Sequence, residues 1–218
     1  MGKNGWIVLV GARDKNRGLE VVAELKEENI DAIYINIDLQ NKKTILAAVD
    51  SINSQHSDLN MLINNAAIPG DMRKPGYEFT LSELRDVMET NVFGPFELTR
   101  QLLPTLEQNG GRIVNITIPI GTLDFFNPFS YKASKAALNT MTQSLGQNFE
   151  REEKSLEIFG IMPGGTTTDL NDNLTGPHMK TPFEAGKIIT DIILDGKNYN
   201  GQIINYNGAV ADYNYGLF

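Results

Sequence analysis

Tyr131 and Lys135 stand four residues apart in "YKASK". On a helix that spacing puts both side chains on one face, one turn apart. An ammonium beside a phenol favours the phenolate and lowers the tyrosine pKa. Such a tyrosine can serve as general acid or base near neutral pH. A surface tyrosine and lysine at the same spacing would look identical, so the pair alone decides nothing. Three other stretches stand out. "NNAA" (residues 64–67) ends an apolar run, "TNVFGPF" carries Asn91, and "MPGGTTTDL" (residues 162–170) ends a second apolar run.

The elements that must position these residues alternate along the chain. Apolar runs at 7–10, 32–37, 61–67 and from 112, 156 and 201 read as strands. Helical periodicity covers 17–28, 42–54, 81–106, 129–150 and 183–194. The long helix should bend near Asn91 and be interrupted at Pro95. Strands alternating with helices of this length argue for an α/β fold. It is a Rossmann-like, doubly wound parallel sheet in a three-layer α/β/α arrangement, read as one domain over 1–218. Ligands in such sheets bind outside the carboxyl ends of the strands.

Composition narrows the function classes. The chain has 218 residues, 41% hydrophobic and 21% charged, ordinary for a globular protein. A net charge of -8 argues against nucleic-acid and anionic-membrane partners. No apolar run approaches the ~20 residues of a membrane span. Without cysteine there is no disulfide framework and no thiolate nucleophile, which fits a reducing, cytoplasmic compartment. Residues 1–5 are polar and lead straight into a strand, unlike a signal peptide.

In their order and spacing, "NNAA", Asn91, "YKASK" and "MPGGTTTDL" resemble the short-chain dehydrogenase/reductase family, over about residues 7–207. The resemblance implies a carbonyl/alcohol oxidoreductase using NADP(H), acting on a small molecule as a homodimer or homotetramer. It makes Tyr131 the catalytic acid/base. Lys135 would hold the nicotinamide ribose and tune Tyr131, and Asn91 would anchor a water in the proton relay. Asn65 and Ala66 would line the cofactor, with the backbone around Pro163, Gly164 and Thr166 and the Thr168 hydroxyl. "IDL" would place Asp38 on the adenine amine and Leu39 on its ring.

That register bears on "VLVGARDKNRGLEVV" (residues 8–22). In the family two βα units precede the strand ending in Asp-Leu, the first with a T-G-x-x-x-G-x-G phosphate loop. Only one such unit precedes Asp38 here, and "GARDKNRG" looks like the second. Arg13 would then meet the 2'-phosphate of NADP(H), which a guanidinium fork suits. A first unit, part of a βαβ of roughly 30 residues or more, would be absent, leaving six strands instead of seven. The simplest repair slides "WIVLV" into the vacated centre; another is a strand supplied by a partner chain. The competing reading makes Gly11 to Gly18 the phosphate loop itself. Its glycines are seven apart where the family's outer glycines are six, and Asp14 would face the pyrophosphate.

Other departures touch the active site. The family places a serine thirteen residues before the tyrosine, and Ile118 stands there. Thr117 is adjacent but should face the other side of a strand, and Thr122 lies in the following loop. Losing one such donor costs ~10²–10³ in rate. Ala67 replaces a glycine of the family's "NNAG". "DLNDNL" from Asp169 is a poor calcium loop, with Leu174 and Lys180 at the glycine and glutamate places. His56, His178 and Asp50 read as surface residues. Phe125, Phe126 and Phe129 read as packing, or as contacts for an apolar substrate. Two functions therefore compete: an impaired NADP(H)-dependent carbonyl reductase or alcohol dehydrogenase, and a non-catalytic protein of the same fold.

Overall fold

The computed structural model describes residues 1–121 and 128–211. Short runs rich in Val, Ile and Leu become strands: β1 (Val8–Ala12), β2 (Ala32–Asn36), β3 (Met61–Asn64), β4 (Arg112–Ile116), β5 (Glu157–Met162) and β6 (Ile203–Asn205). All their pairings are parallel. Between them run α1 (Lys15–Glu27), α2 (Lys42–Gln55), α3 (Leu81–Met88), α4 (Gly94–Gln108), α5 (Phe129–Arg151) and α6 (Pro182–Leu194). Polar residues start α1, α2, α3 and α6 by accepting orphan N–H bonds. Asp14 accepts from Asn16 and Arg17, and Thr80 and Thr181 form capping boxes with Glu83 and Glu184.

The expected bend near Asn91 is a wide π turn, Glu89–Phe93, joining α3 to α4. Pro95 does not interrupt the helix. It lies in the first turn of α4, where a missing N–H is tolerated. Gly94 fixes the depth of the turn. A Cβ there would stand 2.3 Å from the Leu39 carbonyl oxygen, so glycine alone lets the helix press on the segment after β2.

The six strands do not form one sheet. β1 pairs with β2 alone, in the register Val8↔Ala32 to Ala12↔Asn36. The other four run in the order β3-β4-β5-β6. "WIVLV" has therefore not moved across to pair with β3. The helical layer explains why. Ile45, Val49 and Ile52 of α2 share a buried cluster with Leu98, Leu102 and Leu106 of α4, Ile113 of β4 and Phe149 of α5. Leu9 of β1 and Leu62 of β3 pack against that cluster from the two sheets. Moving β1 onto β3 would require α2 to slide over α4. On the other face, α6 covers β4–β6 through Ile192 and Ile193, joined by Met1, Met61 and Ile63. α1 covers β1 and β2 there, its buried Gly18 set against the Tyr34 ring.

Candidate active site

Tyr131 lies in the first turn of α5 and Lys135 one turn on, both buried. The Lys135 ammonium is 5.6 Å from the centre of the Tyr131 ring. It donates to the carbonyl oxygen of Ile116 at the carboxyl end of β4 (2.7 Å). The Tyr131 hydroxyl makes no hydrogen bond among the described residues. The electrostatics differ from the expectation. Burial pushes the Tyr131 phenol up to about 12 and pulls the Lys135 ammonium down to about 8. The lysine does not lower the tyrosine here. Desolvation dominates both groups, because each charged form loses water and gains no opposite charge among the described residues. In this state Tyr131 is a phenol, a proton donor rather than a ready base.

Asn91 occupies the π turn and is 1% exposed. The Ile68 N–H donates to its Oδ1 (2.8 Å), and its Nδ2 donates to the Ile68 carbonyl (2.9 Å) and to Ser134 Oγ (3.0 Å). Ser134 in turn donates to the Tyr131 carbonyl (2.6 Å). The asparagine thus ties the loop after β3 to the helix carrying Tyr131. Its side chain is fully engaged in this bracing.

The remaining candidates gather at the same end of the strands. Asn65 and Ala66 follow β3 and are exposed. Asp38 follows β2, its carboxylate accepting from the Gln40 N–H, while Leu39 turns inward onto the α2–α4 cluster. Pro163 is buried at the end of β5, and Gly164 beside it is exposed with φ +89°. The Thr166 hydroxyl donates back to Gly164 O, and the Thr168 side chain caps a short 3-10 turn with Asn171. Both hydroxyls are thus turned onto their own loop. Arg13 is exposed and unpaired among the described residues. The Thr117 hydroxyl donates to Asn139 of α5, so it points away from Ile118. Phe129 opens α5 and stacks against Phe79. Thr122, Phe125 and Phe126 lie outside the described residues.

A dinucleotide must be held at both its nicotinamide and phosphate ends. The exposed residues Asn65, Ala66 and Gly164, which follow β3 and β5 at the same carboxyl end where Lys135 meets β4, fit the first. The second does not fit. The turn between β1 and α1 precedes Asp38, and the Asp14 carboxylate fills the N-terminus of its helix. An anion there would meet like charge. Gly18 serves packing, since a Cβ on it would stand 2.4 Å from the Tyr34 ring. These observations speak against Gly11 to Gly18 as the phosphate loop. Arg17 also pairs with Asp169 of the loop after β5 (2.9 Å), linking α1 to the far sheet.

Sequence reasoning missed two features. One is a buried polar chain at the strand ends: Asn64 Nδ2 donates to Thr99 and to Asn115, whose Nδ2 donates to Thr142. The asparagines in "LINN" and "IVNIT" were the available signal, being polar residues inside apolar runs. The other is Ser130, whose buried hydroxyl has no partner and faces Gly70. Nothing in its spacing marked it.

Residues 1–178 match the short chain dehydrogenase family. The chain is 28% identical over 175 residues to a 3beta-hydroxysteroid dehydrogenase of Mediterraneibacter gnavus, covering 78% of this chain and 60% of that protein. It is 28% identical over 177 residues to a 7alpha-hydroxysteroid dehydrogenase of Escherichia coli, covering 81% and 68%. A crystal structure of NADPH-bound carbonyl reductase from chicken fatty liver superposes with a TM-score of 0.82 at 25% identity, over 95% of this chain and 88% of that one. The chain thus spans under two thirds of the length of the first of these relatives. It belongs to the short-chain dehydrogenase/reductase family.

Proposed function

We propose that this chain carries the proton-transfer half of an NADP(H)-dependent carbonyl/alcohol oxidoreductase and holds its cofactor weakly. The observation that carries the reading is the buried Tyr131–Lys135 pair at the carboxyl end of the sheet, its tyrosine hydroxyl without a hydrogen bond among the described residues. As a phenol, Tyr131 donates its proton to a substrate oxygen as charge develops there, which favours carbonyl reduction over alcohol oxidation near neutral pH. Lys135 orients that end of the site. Asn91 positions α5 through Ser134 and the loop at Ile68. Arg13 supplies a guanidinium suited to a 2'-phosphate. The carbonyl reductase neighbour is NADPH-bound, which supports this cofactor class.

The test has two arms. NADPH titrated calorimetrically should bind at millimolar affinity or not at all, since the Asp14 carboxylate occupies the helix N-terminus after β1. Micromolar binding overturns the phosphate-end argument. NADPH oxidation with a panel of simple ketones should be slow and should vanish in Tyr131→Phe. Equal rates in both chains overturn the assignment of Tyr131. A non-catalytic role is favoured by two observations, the Asp14 carboxylate at the helix N-terminus and Ile118 in place of a hydroxyl donor. It predicts no Tyr131-dependent turnover at any NADPH concentration.

We further propose a homodimer or homotetramer. Phe93 and Phe96 stand 51% and 39% exposed at the start of α4, large apolar groups on one helical segment. Light scattering near 24 kDa at micromolar concentration would refute it.

A further inference from the structure

The segment that leaves β5 folds back on itself before it enters α6. Thr166 and Lys180 form a parallel bridge. In it the Lys180 N–H donates to the Gly165 carbonyl and the Thr167 N–H to the Lys180 carbonyl, both at 2.9 Å. Residues 178–180 therefore lie against "PGG" (residues 163–165). Both glycines of that motif are needed to admit them. A Cβ on Gly164 would stand 2.4 Å from Lys180 Nζ, and one on Gly165 would stand 2.8 Å from Met179 Sδ. Gly164 also holds φ at +89°, a conformation that favours glycine. Two successive glycines thus make room for an ammonium and a thioether at the carboxyl end of β5, where ligands of such sheets bind.

The Lys180 ammonium is half-buried and lies 4.6 Å from the centre of the Tyr206 ring, just beyond β6. A ring face attracts the charge but does not satisfy the three N–H donors that an ammonium carries. Among the described residues no oxygen accepts from its Nζ and no carboxylate pairs with it. The flanking acids are engaged elsewhere. Asp169 pairs with Arg17, and Glu184, whose carboxyl feels the Lys180 charge, accepts from the N–H and hydroxyl of Thr181. Lys135 at the end of the neighbouring β4 is different, since it donates to the Ile116 carbonyl. Lys180 is thus fixed by its backbone on both sides, with its charged end left for an anion.

We infer that Lys180 receives a carboxylate carried by the substrate, with Tyr206 and Met179 against the apolar part beside it. The inference rests on the proposed carbonyl/alcohol activity and adds a chemical class to it, oxo acids in preference to neutral ketones. A cofactor phosphate is the other anion such a site could meet. Arg13, the cation suited to it, follows β1 in the other sheet, whereas Lys180 stands past β5 and β6. A chain of net charge -8 repels anions at long range, so a local cation decides whether a carboxylate is accepted.

Lysine labelling tests this without cofactor or turnover. The 218-residue chain is treated with limiting acetic anhydride and each lysine is followed by mass spectrometry. The probes are benzoylformate and benzoylpropionate, which hold a carboxylate at two distances from the ketone; the controls are their methyl esters. At high-millimolar concentration at least one acid should slow acetylation of Lys180 by about fivefold, the fall in free site expected once a ligand exceeds its Kd several-fold. The esters should leave Lys180 unchanged, and Lys26 of α1 serves as the reference. Equal slowing by acid and ester, slowing by NADPH with none by either acid, or no slowing by either acid would overturn the inference. A second arm compares acid with ester in NADPH oxidation. Lys180→Met should raise the KM of the acid relative to its ester by about tenfold, the scale of one hydrogen bond to a charged group, and Lys180→Arg should restore most of the difference. An unchanged ratio in Lys180→Met would overturn the inference. Should the parent chain show no Tyr131-dependent turnover, the proposed activity fails, and the labelling result alone decides whether Lys180 receives a carboxylate.

Discussion

Replacing Lys135 by methionine should stabilise the protein at neutral pH and lose most of that advantage in alkali. The ammonium is 2% exposed, and its hydrogen bond goes to a neutral carbonyl, that of Ile116. Burial holds its pKa at about 8 in place of 10.5. Because the folded-state value is the lower one, the unfolded chain binds more protons between about pH 8 and 10.5. Stability contributed by this group therefore rises across that window. Below pH 8 both states carry the proton, and the folded state bears the whole cost of the buried charge. A shift of this size corresponds to roughly 3 kcal/mol. Lys135→Met keeps the stem and removes the charge. Its lead over the parent chain should be greatest at pH 7 and shrink by roughly 3 kcal/mol by pH 10.5. Tyr131 has the opposite sign. Its raised pKa contributes stability that is lost as pH climbs from 10 through about 12. It is present in both chains and cancels in their difference. Urea unfolding followed by circular dichroism at pH 7, 8, 9 and 10 measures that difference. A lead that stays constant with pH would refute the claim that burial lowers the Lys135 pKa.

Three further substitutions probe the surroundings of the pair. Asn91→Ala should cost about 3 kcal/mol in denaturant unfolding, because the Ile68 N–H and carbonyl lose their buried partner; a loss under about 0.5 kcal/mol would show that water replaces the amide. Ser130→Ala should be neutral or stabilising by about 1 kcal/mol, since the hydroxyl it removes is buried without a partner, and a marked loss of stability would reveal a bond made through water. Ile118→Ser should leave NADPH-dependent ketone reduction nearly unchanged while the phosphate end is deficient. A gain of ~10²-fold from that change alone, the scale of one restored oxyanion donor, would show that the cofactor is already well held.

Much of the site was legible in the chain because its signals are local. Helical spacing put Tyr131 and Lys135 on one face, and the apolar runs located the six strands. The asparagine in "TNVFGPF" marked the bend, which the structure realises as the π turn. Asp14 could be read as unfavourable to a pyrophosphate, and it caps the helix in question. Pro95 was misjudged for a local reason: its effect depends on whether it falls inside a helix or in its first turn.

What tertiary structure decided was the environment of each group and the pairing of each strand. Spacing implied that Lys135 would lower the Tyr131 pKa. Burial of both side chains reversed that, and no local pattern reports how much water a fold removes. An apolar run shows that a strand exists and leaves its neighbours open. "WIVLV" has the composition of a central strand and could have paired with β3. It stays on β2 because α2 is locked against α4 by contacts from distant parts of the chain. The residues by themselves thus determined the family, the order of elements and the placing of Tyr131 and Lys135 on one helical face. Long-range packing alone decided that the sheet is open in the middle, because strand pairing is fixed by the helices that hold each strand in place.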